Sequence, residues 1–256
     1  MRVSIITACK NSEETIEDTI LSIVNQTYPD IEHVIIDGKS TDSTLAIIDK
    51  YKANVSFCIS EKDKSMYEAM NKGVKMATGN LILILNSDDA LLNSDTVECI
   101  VELAKTATSP LIAFKIHIVN SDTDENYYKG YDKVDKLWLF KDCICQQALL
   151  YRPEVFQKVG YFDEKCKVVG DYDWLLRAIL HHDITFTYFD LPIVRFRQQG
   201  IFSGDEKIHK IYLQEHEELI KKYFGIYKSK LLKFIFKYLG SLTKIAGIRV
   251  ILNKFI

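Results

Sequence analysis

The stretch Leu81-Ile82-Leu83-Ile84-Leu85-Asn86-Ser87-Asp88-Asp89 is five apolar residues followed at once by four polar ones. Five residues are too few for a helix and show no alternation, so the run predicts a strand buried on both faces at the centre of a sheet. Upstream, Met66, Met70, Val74 and Ala77 recur at helical spacing, with Gly79 expected as the stop; downstream, Val97, Ile100, Val101 and Ala104 do the same. Farther out, residues 3–8, 32–37 and 55–59 are short β-branched strands. Between them lie a helix through Ile16, Ile20, Ile23 and Val24, opened by an Asn11/Glu14 capping box, and a second one capped by Ser40 or Asp42 and running to about residue 52. Strand and helix alternate as in a parallel α/β sheet.

Beyond residue 110 the alternation weakens. Residues 111–119 read as a strand, 120–136 as a polar loop, 147–151 as a strand, and a helix behind Pro153 ends at Gly160. A helix opens at Asp171 and runs through Leu180, followed by two strands at 184–189 and 193–197.

The 256 residues are 47% hydrophobic and 27% charged, with 11 Gly and 4 Pro, which excludes disordered and collagen-like chains. Nine of the 33 basic side chains fall after residue 220 with no acid among them; the rest of the chain carries 24 basic and 35 acidic side chains. An acidic body of this kind repels nucleic acid, while a basic, apolar tail suits an anionic membrane surface. The six cysteines lack a disulfide-framework spacing, and Cys143 and Cys145 are too close for a zinc knuckle, so a reducing compartment is expected. With neither a signal peptide nor a run long enough to span a bilayer, the expected location is the cytoplasm.

Ligands of open α/β sheets bind beyond the carboxyl ends of the strands. Three such ends here are polar: residues 7–11, 37–40 and 86–89. Adjacent Asp88 and Asp89 are costly unless a cation sits against them, which suggests a metal site; capping of a helix beginning near Ser94 is the plainer alternative. Gly38-Lys39-Ser40 mimics the end of a phosphate-binding P-loop, but position 33 is His where that loop requires Gly.

Residues 3–11, Asp37-Gly38-Lys39-Ser40-Thr41-Asp42-Ser43-Thr44, the segment from Ser60 to Gly73 and Asn86-Ser87-Asp88-Asp89 together resemble the inverting family 2 glycosyltransferases, over about residues 1–205. The resemblance implies a GT-A fold, a mixed sheet with helices on both faces, a nucleotide-sugar donor with UDP favoured, and Mn²⁺ or Mg²⁺ on its diphosphate. By position it implies Thr7, Asp37, Asp63, Tyr67, Asn71 and Asp88 at the donor, Asp88 and Asp89 at the metal with Asp89 as the direct ligand, and Asp171 as the base. Tyr67 and Asn71 stand i and i+4 and so share a helix face, although ordinary packing also accounts for Tyr67. Gly38 and Asn86 replace acids common in the family, and no His occupies residues 195–200, where some relatives supply one to the metal. Gln146, Gln147 and residues 199–203 fall where the family places further contacts, and Asp173 is expected to make a structural bond.

A base at Asp171 suits the chemistry, because a sugar hydroxyl is a poor nucleophile and one carboxylate opposite the leaving group both activates it and enforces inversion. The expected acceptor is a surface glycan or its lipid-linked precursor. A non-catalytic nucleotide-sugar-binding scaffold is the contrasting reading. The expected division is a catalytic domain at 1–220 and a basic amphipathic helical extension at 221–256, with Lys230, Lys233 and Lys237 on one face. That extension is read as lying on the inner face of the cytoplasmic membrane, or else as packing on the body or in a homodimer.

Overall fold

A computed structural model describes residues 1–120, 125–132, 134–197, 206–239 and 252–253. Strands β1 (Val3–Cys9), β2 (Ile31–Asp37), β3 (Phe57–Ser60) and β4 (Leu81–Ile84) pair in parallel, with β1 between β2 and β4. The sheet continues through β8 (Leu149–Tyr151), β6 (Leu111–Asn120), β9 (Phe186–Arg197) and β5 (Ala90–Leu91), and β7 (Glu125–Lys129) pairs with β6. Because β8 runs antiparallel to both β4 and β6, the sheet is mixed.

The expected central strand is indeed central, and residues 81–85 are at most 1% exposed. Burying each such Leu or Ile contributes roughly 1.5–3 kcal/mol, an upper figure because unfolded chains already bury some surface. Helices α1 (Ile16–Val24) and α2 (Thr44–Lys50) cover one face, where Ile16, Ile20, Ile47 and Ile48 pack on Cys9 and Ile35. Helix α3 (Met66–Met76) covers the opposite face with Met70 and Val74. There Gly73 lies so close to Ile6 that an added Cβ would come within 2.3 Å of its Cγ2. The start of α3 is encoded locally: Ser65 Oγ accepts from Glu68 N at 3.3 Å and Glu68 Oε2 accepts from Lys64 N at 2.6 Å, a cap of about 1 kcal/mol.

Four expectations are corrected. Helix α1 opens behind Thr15, because Asn11 takes φ +50° and joins the neighbouring loop instead of capping. Gly79 is no left-handed stop; it is required because a Cβ there would meet Ser4 and Arg2 backbone atoms within 3 Å. Within the expected loop at 120–136, residues 125–129 form the edge strand β7. The two strands expected at 184–197 are one, β9, since Pro192 sits at a register shift against Lys115 and not at a break.

The chain continues through α4 (Thr96–Thr106), α5 (Lys136–Leu139), α6 (Glu154–Val159) and α7 (Gly170–Leu176), which passes into a π-turn at Arg177–His181. Helices α8 (Glu206–Phe224) and α9 (Ile226–Leu239) follow, so the expected division after residue 220 falls inside α8. Leu232 and Ser229 of α9 are buried, Phe236 stacks on Phe140, and Asn253 bonds Leu137 N and Asp135, so parts of the tail pack on the body. Residues 199–203 and the basic positions Lys244, Arg249 and Lys254 lie outside the described residues, as do the side chains of Lys233 and Lys237. Among the described residues, no helix is long and apolar enough to cross a membrane.

Candidate active site

The three polar strand ends meet. Asn11 N donates to Ser40 Oγ at 2.8 Å, Asn11 Oδ1 accepts from Thr41 N at 2.9 Å, and Ser12 N donates to Thr44 Oγ1 at 2.7 Å. Ser12 Oγ also lies 2.9 Å from Ser87 Oγ, tying the loop after β1 to the loop after β4. Asp37, at the end of β2, is fully buried and accepts from Ser40 N at 3.0 Å, Ser60 Oγ at 2.5 Å and the Ser40 hydroxyl. Burial, with Asp37 beside it, pushes the Cys9 thiol well above its ordinary range. Thr7 is also fully buried, its Oγ1 3.1 Å from His33 Nε2, so it stands a layer beneath the loops.

Asp88 and Asp89 follow β4 without capping α4, whose first turn is preceded by Asp95. Asp89 is 1% exposed; its Oδ2 accepts from Gln147 Nε2 at 2.8 Å, its Oδ1 from Arg197 N at 3.1 Å, and its carbonyl from Thr19 Oγ1 at 2.7 Å. Asp88 remains half-buried and is the more open of the two. Burial raises the proton affinity of both carboxyls, and the charge of Asp88 raises that of Asp89 further. Next to them Asn86 Oδ1 is buried without a hydrogen-bond partner. Among the described residues, no three His, Cys, Asp or Glu side chains gather around one point. The all-oxygen set of Asp88, Asp89 and Asn86 nevertheless fits a hard divalent cation, which would relieve the repulsion and satisfy the orphaned oxygen.

Asp171 lies in the first turn of α7, where the helix dipole favours a carboxylate. Burial raises its proton affinity above that of an ordinary Asp, and the Tyr67 hydroxyl, 3.2 Å from Oδ1, partly offsets this. Tyr67, 1% exposed, donates to the Val168 carbonyl at 2.7 Å, and its ring lies against Gly170, where any Cβ would clash. Asn71, one turn on, brackets Phe162: Nδ2 donates to its carbonyl at 3.0 Å and Oδ1 accepts from its N–H at 3.0 Å. The shared helix face expected for Tyr67 and Asn71 is therefore present, and it is committed to residues 162–171. Asp63 pairs with Lys72 at 2.5 Å through Oδ1, while its Oδ2 is buried without a partner. Lys72 also reaches Glu61 at 2.6 Å, and these carboxylates hold it charged. Asp173 makes the expected structural bonds, to Lys222 Nζ at 2.7 Å and Tyr223 OH at 3.0 Å.

One short segment joins the two acidic centres. The charge of Asp171 acts on the buried Cys143 thiol, and four residues on Gln147 holds Asp89. Four residues span at most about 14 Å, so one short segment links the surroundings of the two centres. Gln146, also buried, has an unpartnered Nε2. The role of Gly170 was invisible in sequence, because only the approach of the Tyr67 ring reveals it. Glu215, which accepts from three backbone N–H groups just before α7, reads in sequence as one of several carboxylates on a helix.

Residues 4–160 match the profile described as "Glycosyl transferase family 2". A "PGL/p-HBAD biosynthesis glycosyltransferase" of Mycobacterium bovis is 30% identical over 204 residues, 78% of each chain. The poly-beta-1,6-N-acetyl-D-glucosamine synthase of Staphylococcus epidermidis is 33% identical over 91 residues, 35% of this chain and 22% of that protein. In fold, the chain is similar to S. aureus TarS 1-349 in complex with UDP-GlcNAc, with TM-score 0.67 and 19% identity over 93% of this chain and 73% of that one. It is likewise similar to the mannosyltransferase PcManGT from Pyrobaculum calidifontis in complex with GDP-Man and Mn²⁺, with TM-score 0.59 and 14% identity over 99% and 84%. The mixed sheet is that of the GT-A transferases, and the chain is a glycosyltransferase that belongs to glycosyl transferase family 2.

Proposed function

We propose that the protein transfers a sugar, with inversion, from a nucleoside-diphosphate donor to a hydroxyl of a surface glycan or its lipid-linked precursor. UDP is the favoured nucleotide, in keeping with the UDP-GlcNAc bound by TarS. The observation that carries this reading is the pair of acidic centres of different character, Asp88/Asp89 and Asp171, linked through the short segment from Cys143 to Gln147.

Asp171 removes the proton from the acceptor hydroxyl. The acceptor oxygen bonds to the anomeric carbon as the bond from that carbon to the diphosphate oxygen breaks, and the nucleoside diphosphate leaves. Asp88 and Asp89, with Asn86, would hold Mn²⁺ or Mg²⁺; when bound, the ion neutralises charge developing on the departing diphosphate. Asp88 is the more open ligand, while Gln147 and Arg197 N fix Asp89. Asp37 and Asp63 serve the nucleoside end, Asp63 with an unpartnered oxygen, and Thr7, Tyr67 and Asn71 support the pocket from one layer behind.

The outer face of α9 supports a peripheral position on the inner face of the cytoplasmic membrane. Ile226 and Leu231 are 55% and 45% exposed beside Lys230, while Leu232 faces the body. Asp171→Asn tests the transfer reading with radiolabelled UDP-GlcNAc, UDP-glucose and GDP-mannose offered with a lipid and glycan extract of the source cell. The substitution abolishes incorporation and leaves nucleotide affinity within about twofold, since it removes only an interaction of the transition state. Undiminished incorporation by folded Asp171→Asn would end this reading.

A further inference from the structure

Three backbone N–H groups just ahead of α7 converge on one side chain of α8. Lys167 N donates to Glu215 Oε1 at 2.9 Å, and Val168 N and Val169 N donate to Oε2 at 2.9 and 3.2 Å. Hydrogen bonds to an ionised acceptor are the strong kind, so this carboxylate fixes the loop that leads into Asp171. The peptide unit between Val168 and Val169 is held from both sides, its N–H, that of Val169, by Glu215 at 3.2 Å and its carbonyl, that of Val168, by the Tyr67 hydroxyl at 2.7 Å.

That hydroxyl has one proton and two acceptors, since Asp171 Oδ1 lies 3.2 Å away. The shorter bond goes to Val168, so the carbonyl draws the proton away from the carboxylate and leaves Asp171 a better base. Were the carbonyl free to drift, the Tyr67 proton would turn to Asp171 and weaken it as a base.

We infer that Glu215 is a positioning residue for Asp171, pinning the Val168 carbonyl so that it, and not the base, takes the Tyr67 proton. The inference rests on the reading of Asp171 as the base. Among the described residues, the other ionisable groups that interact with Asp171 are Cys143 and Cys145 ahead of β8, Tyr151 on β8 and Tyr212 on α8, and burial favours the neutral form of each. Cys166 of the 162–169 loop also interacts with Glu215, and it too is favoured neutral by burial. Helix α8 keeps a second anchor on α7 through Lys222, Tyr223 and Asp173, so loss of Glu215 leaves it docked.

The test is the proton affinity of Asp171 in the full chain, read by carboxyl ¹³C resonance and assigned by its disappearance in Asp171→Asn. Glu215→Ala lowers that affinity by about threefold, and Tyr67→Phe raises it, the scale set by a partial hydrogen bond to a charged group. Combined, the two substitutions give the Tyr67→Phe value, because without the hydroxyl the carbonyl has nothing to divert. Glu215→Gln, which keeps one acceptor oxygen, falls between wild type and Glu215→Ala and serves if the alanine variant does not fold. An unchanged affinity in folded variants would overturn the inference. So would a lowering that persists in the Tyr67→Phe background, which is what a direct charge effect or a merely loosened loop would produce. The titration does not depend on transfer, so failure of Asp171 as the base would show separately, as undiminished transfer by Asp171→Asn.

Discussion

Gly170→Ala places a methyl carbon 2.7 Å from Tyr67 Cε2 and 2.8 Å from both Cδ2 and Cζ. Carbon contacts become comfortable near 3.5 Å, so the ring must retreat by about 0.8 Å. It has little room: Tyr67 is 1% exposed, its centroid lies 6.0 Å from that of Phe162, and its hydroxyl is tied to Val168 and Asp171. Overpacking of this kind costs about 1–3 kcal/mol. For a chain of this length each kcal/mol lowers Tm by about 2–4 °C, which predicts a loss of about 2–12 °C by scanning calorimetry. Activity falls as well, because Gly170 immediately precedes Asp171 and relief of the clash shifts the turn that carries the base. Tyr67→Ala supplies the control, since without the ring Gly170→Ala adds less than about 0.5 kcal/mol. A Gly170→Ala variant that melts within about 1 °C of wild type would refute the packing argument.

Other outcomes follow from the same electrostatics. Asp88→Asn raises the Tm of metal-free protein at pH 7.5: with folded proton affinities raised, the Asp88/Asp89 pair favours folding at low pH and loses that contribution as pH rises, so the advantage shrinks in scans at pH 4.5. His33, buried with its pKa lowered to about 3, works the other way; it stays neutral when folded, so stability is lost as pH falls from about 6.5 toward 3, and His33→Gln flattens that part of a denaturation series. Because burial raises the proton affinity of Asp171, the acid limb of kcat lies above the ordinary Asp value near 3.9. A limb at or below that value would contradict the burial of the base.

Legibility followed the physics of each segment. Residues 81–85 declared themselves because a strand buried on both faces needs unbroken apolar sequence, and Met70 and Val74 showed the face of α3 because one side packs on the sheet. Strand β7 did not, since an edge strand exposing Tyr127 and Tyr128 has no buried face to impose alternation. Pro192 misled because a proline at a register shift is compatible with a continuing strand, which sequence alone reads as an end. In the site, Asp37, Asp88, Asp89 and Asp171 stood out as acids at strand ends or a helix start. The commitments of Tyr67 and Asn71 were not legible, because their partners, Val168 and Phe162, lie 91 or more residues away. Glu215 gave no local signal: among Glu217 and Glu218 it differs only in the three amides that another segment presents to it.

The measurement that bears most directly on the central claim is calorimetric titration of the protein with UDP, GDP and dTDP, with and without Mn²⁺, in wild type and Asp88→Asn. The account predicts that one nucleotide, UDP first, binds in a metal-dependent manner, and that Asp88→Asn abolishes the metal dependence while the fold persists. Absence of binding of all three nucleotides to folded protein, or metal-dependent binding undiminished in Asp88→Asn, would contradict it.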